Sequence, residues 1–316
     1  MIHLRVVSPA QLTDDLVASL NQQDGVLNLV ELRGSSRHPV GDTLQFDVLN
    51  GAANSVFAEL RQRGIVEDGS IQVDTVEAWL SESGDRAAGR QARFQVFTPV
   101  WELVDARIRS DGLYPPSWYV LLVIAGIIGA VGLLTNSQIL IVAAMVVGPE
   151  YGAITSVARA ANKRDGATAG RGLLALLIGF SAAVVAALAL GACIRAAGLT
   201  PRAFALGVRP VSSLINTPNA FSVIVAVVAG IVGILSLTES RTATLIGVFI
   251  SVTTIPAAAD IGLSMSYGSW AEARGSLIQL LINVGILVVV GMVMLVVQKR
   301  IWDRVTPVDL PAIPPS

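Results

Sequence analysis

After Pro116 the chain carries six apolar runs, at about 118–134, 138–157, 173–194, 220–237, 243–264 and 276–297. Each is close to the roughly 20 residues a helix needs to cross the hydrocarbon core of a bilayer. Only helices and closed barrels keep every backbone polar group paired in lipid, so this part is expected to be an α-helical polytopic membrane domain. Ahead of it the composition inverts: residues 1–93 hold 8 arginines, no lysine and 13 acids. Whole-chain averages, 53% hydrophobic and a mean hydropathy of +0.65, hide that divide.

The second run, NSQILIVAAMVVGPEYGAIT (136–155), places Gly148, Pro149 and Glu150 inside an apolar span. Proline removes one backbone donor and clashes with the preceding turn, so the helix is expected to break there. A carboxylate at such depth costs roughly 2.5 kcal/mol or more, and an ionisable group so placed usually faces a cavity or a partner. A broken helix carrying a buried acid points to a solute or ion path. The alternative is a packing kink, with Glu150 near enough to one end to reach water.

Shifting the second half by 103 residues lays Leu134-Thr135-Asn136-Ser137 on Leu237-Thr238-Glu239-Ser240, and Arg171-Gly172 on Arg274-Gly275. Three spans in each copy force the second to run upside down, giving two inverted three-helix repeats. Inverted repeats with a discontinuous helix in each half are a signature of secondary transporters, whose sites lie between the halves near the midplane. The second break is expected around Ser251, Thr253, Thr254, Pro256 and Asp260, with the shift pairing Glu150 with Thr253. Hydroxyls and carboxylates at such breaks suit cation coordination or proton relay. Asn283 in the sixth run either projects to the same cavity or bonds between helices. Asn136 and Glu239 stand at corresponding turns as gate residues or helix caps, and Glu239 can pair with Arg241. Gly126, Gly129, Ala130 and Gly132, with Gly230 and Gly233, offer small surfaces for a homo-oligomer or for packing within one chain.

Residues 1–81 read as a small α+β domain. LRVV (4–7) is a strand, a helix opens at Thr13, strands follow at 26–33 and 43–49, a second helix covers 52–63, and a fourth strand covers 71–80. The order βαββαβ is the ferredoxin-like arrangement. Such folds host ligand sensors, RNA binders and interaction modules, so a small ligand is a further partner this domain could take. Its acidic balance and the lack of paired aromatics on its strands exclude nucleic acid. His3 and His38 have no companion ligands and Cys193 stands alone, so neither a metal site nor a cofactor is expected. Residues 82–116 form a polar linker followed by an amphipathic juxtamembrane helix with Val100, Leu103, Val104 and Ile108 on one stripe. The membrane domain spans 117–298, and the Pro-rich tail 299–316 is expected to be disordered.

Flanking cations orient the spans. With the N-terminus inside, ten Lys and Arg fall on the inner side, and Arg195, Arg202, Arg209 and Arg274 on the outer. This favours an inner-membrane protein with both termini cytosolic, as does the lack of an apolar signal-peptide region near Met1. The first three outer arginines can line a mouth.

The motifs NSQILIVAAMVVGP (136–149), NTPNAFSVIVAVVAGIVG (216–233) and IGVFISVTTIP (246–256) resemble the uncharacterised membrane proteins of the domain of unknown function 389 family, over about 115–297. The commoner pattern there has an apolar residue after the Gly-Pro pair, from which Glu150 departs. The resemblance implies the architecture and no agreed activity. The residues fit a secondary transporter of a small solute or ion, with proton or cation coupling and a regulatory cytosolic domain. A gated channel fits the same residues, and a membrane-anchored sensor or scaffold is the other alternative. No Ser/His, His/Glu or Cys/His constellation supports an intramembrane enzyme.

Overall fold

A computed structural model describes residues 1–76, 78, 80–90, 95–239 and 254–306. They fall into two compact units, one built on residues 1–106 with the segment from Gln298 onward, the other on residues 107–297.

The first unit runs β1 (Ile2–Ser8), α1 (Ala10–Leu20), β2 (Val26–Arg37), β3 (Val40–Val48), α2 (Asn50–Gln62), α3 (Ile65–Asp68) and β4 (Ser70–Thr75). The strands lie in the order β2-β3-β1-β4, every neighbouring pair antiparallel. Alternation decides which face is covered: Leu4 opposes Phe46 and Val6 opposes Leu44, and these four pack with Leu16, Leu20, Val56 and Leu60 from α1 and α2. Each fully buried side chain of this size contributes about 1.5–3 kcal/mol. Two boundaries differ from expectation. Helix α1 begins at Ala10 rather than Thr13, because Pro9 fixes its entry and the Thr13 hydroxyl donates back to the Pro9 carbonyl at 3.2 Å. Strand β4 ends at Thr75 rather than 80, since its partner β1 starts at Ile2, which is already paired with Thr75.

The expected linker is a helix in part, α4 (Glu82–Arg90). Ser81 supplies its cap, the hydroxyl accepting from the Gly84 amide at 3.2 Å, and Glu82 and Asp85 place negative charge at the positive end of the helix dipole. The amphipathic helix follows as α5 (Trp101–Asp111), with Val100, Val104 and Ile108 buried as the stripe requires. Asn54 of α2 fixes its start, accepting from the Trp101 amide at 3.2 Å and donating to the Pro99 carbonyl at 3.1 Å.

The second unit contains α6 (Pro116–Leu134), α7 (Gln138–Val147), α8 (Glu150–Asn162), α9 (Gly166–Ala196), α10 (Arg202–Ala205), α11 (Pro210–Asn216), α12 (Ala220–Thr238), α13 (Thr254–Ser266) and the start of α14 (Trp270–Val305). Among the described residues four helices, α6, α9, α12 and α14, are long and apolar enough to cross a membrane. The bent pair α7–α8 makes a fifth if it counts as one span. Of the six expected spans, the first half of the fifth, 243–253, lies outside the described residues. Leu173, Leu177, Leu281 and Val289 are among the large apolar side chains left bare on α9 and α14, a surface that suits lipid and not water. The chain is a membrane protein.

Contacts within this unit recur at a fixed offset. A Cβ on Gly126 of α6 would stand 3.0 Å from Ala183 of α9, and one on Gly230 of α12 would stand 3.6 Å from Leu287 of α14. Gly262 of α13 lies against Ala187 of α9, and Ala158 of α8 lies against Gly291 of α14. In each pair of contacts the second follows the first by 104 residues, one more than the turn sequences suggest. Helix packing tracks the registers of the faces in contact, which a match between turns does not fix. An offset of 104 lays Glu150 on Thr254. The glycines considered for a homo-oligomer are used inside the chain: Gly129 meets Ala259, Gly132 meets Ile141 and Gly233 meets Tyr151.

Candidate functional site: two buried carboxylates on the broken and facing helices

The break forms where expected. The Gly148 amide makes the last α7 bond, to Ala144 at 3.2 Å, and Gly148 itself is extended, the conformation that a following proline favours. Pro149 has no amide to donate, and α8 restarts at Glu150 with the axis bent by 50°. The carbonyl of Pro149 is taken by the Trp118 indole at 3.2 Å. Trp118 is itself held edge-on by Tyr114 and Tyr119, with centroids 5.2 and 5.0 Å away. Gly148 leaves room for α13, since a Cβ there would stand 2.7 Å from the side chain of Ile255.

Glu150 opens α8, where the helix dipole favours negative charge, and is only 7% exposed. Its Oε1 accepts from the Thr254 hydroxyl at 2.7 Å. Its Oε2, equally buried, has no hydrogen-bond partner among the described residues. Helix α13 thus meets the first turn of α8 at Thr254, and Pro256, two residues on, is buried as well. Ser251, Thr253 and Arg241 lie outside the described residues.

Asp260 occupies a second polar cluster, six residues or about 9 Å further along α13. It is 1% exposed, and both oxygens are capped: Oδ1 accepts from Ser212 of α11 at 2.7 Å and Oδ2 from Ser276 of α14 at 2.6 Å. Arg209, next to α11, pairs with Glu272 at 2.7 Å, donates to Ser269 at 3.1 Å and lies over the Phe204 ring at 4.1 Å. An open cavity of about 330 Å³ lies here, lined by Val208, Arg209, Ser212, Asn216 and Glu272 among others. Of the three arginines expected at a mouth, Arg209 is the one that lines it.

Glu150 and Thr254 are therefore brought together, as are Asp260 and two serines, but each carboxylate keeps its own set of partners and neither lines the open cavity. Asn283, 2% exposed, accepts from the Gln279 amide at 3.0 Å within its own helix. Asn136, left-handed at a φ of 51°, completes the C-terminal cap of α6, its amide bonding Leu133 at 3.3 Å and that of Ser137 bonding Gly132 at 2.8 Å; its side chain donates to the Val208 carbonyl at 3.2 Å, and Ser137 is the N-cap of α7. Glu239 is the C-cap of α12.

Sequence reasoning missed Ser212, Ser276, Gln279 and the Arg209–Glu272 pair. A signal was present: Glu272, Ser276, Gln279 and Asn283 recur at spacings of four, three and four, a polar stripe down one face of an otherwise apolar helix. No curated protein and no solved structure matches the chain. Residues 145–289, which hold both carboxylates and the polar stripe, match the family described as a domain of unknown function, DUF389.

Proposed function

We propose that this protein is a secondary transporter of a small solute or ion, with a path through the contact between the α7–α8 break and α13. The observation that carries the reading is the buried hydrogen bond from Thr254 to Glu150, residues 104 apart, with Glu150 opening α8 just past the break. The recurring contacts support two copies of one three-span unit, the second inverted. In such an arrangement equivalent residues approach one another at the pseudo-two-fold axis, where transporters of this kind bind their cargo. A carboxylate retained there, with one oxygen unpartnered, is costly for packing and useful for a proton or a cation. The N-terminal domain, with the strand order and βαββαβ sequence of a ferredoxin-like fold, is read as regulatory. The protein acts without catalysis, in the cytoplasmic membrane, with both termini cytosolic.

Reconstituted protein tests this. Uptake is measured in liposomes across a panel of labelled ions and small metabolites, with and without a pH gradient. Glu150→Gln is expected to lower uptake at least tenfold while leaving the gel-filtration profile unchanged. Uptake that is indifferent to Glu150→Gln, or no uptake of any panel member by protein that has kept its fold, refutes the reading.

A further inference from the structure

We propose that Asp260, Ser212, Ser276 and Gln279 form a binding site for a desolvated alkali cation, reached from the cavity at Arg209 and Glu272. This deepens the transport reading by naming the coupling ion, and rests on it only for that role, because binding is measured without transport.

A carboxylate taken out of water needs a compensating charge or a proton. The cation nearest in chemistry, Arg209, is bonded to Glu272 and Ser269 and makes no bond to Asp260. What bonds to Asp260 instead is neutral hydroxyl, and the Arg209–Glu272 pair nearby carries no net charge. Each serine hydroxyl has two lone pairs and one rotatable hydrogen, so Ser212 and Ser276 can turn from donors to ligands without moving their backbones. Asn216 donates to the Ser212 oxygen at 3.4 Å, which orients that hydroxyl within the cluster.

Gln279 is the independent sign of a ligand. It lies three residues beyond Ser276 on the same face of α14 and is 2% exposed. Its amide nitrogen is held by Asn283, yet its carbonyl oxygen is buried with no partner among the described residues. A buried amide oxygen left in that state costs the full desolvation of the group, which a bound cation would recover. One carboxylate with three neutral oxygens matches a single positive charge. Among the described residues no three Asp, Glu, His or Cys side chains come together, so a divalent ion would meet too little negative charge here. Access follows from Ser212, which both lines the open cavity and touches Asp260.

The test uses the full-length protein in detergent at constant pH and ionic strength, with choline replaced by sodium, potassium or lithium. Thermal unfolding is followed by tryptophan fluorescence. A saturable rise of about 4 °C or more is expected for one alkali ion at a hundredfold excess over its half-saturating concentration. Asp260→Asn removes the rise. Ser276→Ala and Gln279→Leu raise the half-saturating concentration at least tenfold, and they decide the matter if Asp260→Asn does not fold. Stability that follows pH alone with no dependence on the alkali ion overturns the site, as does a rise that survives Asp260→Asn. A retained rise beside uptake indifferent to Glu150→Gln refutes the path and spares the site, whereas Glu150-dependent uptake without any rise does the opposite.

Discussion

Substituting three helical glycines with alanine should separate the close-packed helices from the free ones. In a helix interior the change gains about 1 kcal/mol of propensity wherever the new methyl group has room. At Gly285 of α14 nothing lies within 4 Å of the new Cβ, so the gain should appear nearly whole. At Gly291 the Cβ would stand 3.2 Å from Ala158 and 3.8 Å from Ile234, contacts that yield by a few tenths of an ångström, so the net effect should be near zero. At Gly262 the Cβ would meet the Leu188 amide at 2.8 Å and Ala187 at 3.0 Å, and the Val184 carbonyl more closely still. Those last neighbours are mostly backbone of α9 and cannot rotate away, so α13 must shift. Overpacking of that kind costs about 1–3 kcal/mol and occasionally more, which offsets the propensity gain and leaves a net loss of up to about 2 kcal/mol. For a unit of this size that is a fall of up to roughly 8 °C in Tm. Differential scanning fluorimetry in one detergent ranks the three variants on one scale. The reasoning fails if Gly262→Ala melts at or above the wild type, or if Gly285→Ala is the least stable of the three.

Two further outcomes concern the first unit. Glu59 is fully buried and shared between Arg63 at 2.9 Å and Gln23 at 2.7 Å, so Arg63→Ala leaves an uncompensated charge and should cost about 3–5 kcal/mol. Hydrogen exchange of peptides from α2 measures that loss, and a second change, Glu59→Leu, should restore most of the protection. Asp42 accepts the Gly34 amide at 2.7 Å, and this bond holds its carboxyl below the usual aspartate range. Its contribution to stability is therefore complete at neutral pH and is lost as acid takes the solution down through that lowered value. Asp42→Asn should cut the protection of the β2–β3 hairpin at pH 7 and flatten its acid dependence, and an unchanged acid limb would exclude the bond as its cause.

Periodicity made most of the fold legible. Alternation in TLQFDVL marked β3 and its buried face, and the stripe Val100, Val104, Ile108 marked α5, because burial on one side of an element leaves its period in the sequence. Gly148-Pro149-Glu150 marked the break for a reason equally local: a proline without an amide ends a helix wherever it sits in one. What could not be read was pairing across the bundle. Nothing near Ser212 says that its hydroxyl meets Asp260, 48 residues on, since that depends on where a seven-residue helix is carried by the loops around it. Helix α4 escaped for the opposite reason. Its sequence is polar throughout, so it leaves no apolar stripe, and only the Ser81 cap and the acids of its first turn announce it.

The two buried carboxylates differ in a way that suggests how the proposed path divides its work. Asp260 has both oxygens capped by hydroxyls from two other helices, so α11, α13 and α14 are tied through one side chain. Any ion that draws those hydroxyls into coordination must loosen or tighten all three helices together. Glu150 has one oxygen bound and the other without a partner among the described residues, and it sits at the end of a helix already broken. Its bond to Thr254 links the first turn of α8 to α13. Occupancy at Asp260 and the geometry at Glu150 are then joined through α13, a rigid rod of 13 residues that carries a contact to each. A helix that moves at one cluster moves at the other. On the transport reading, this rod couples the ion to the path.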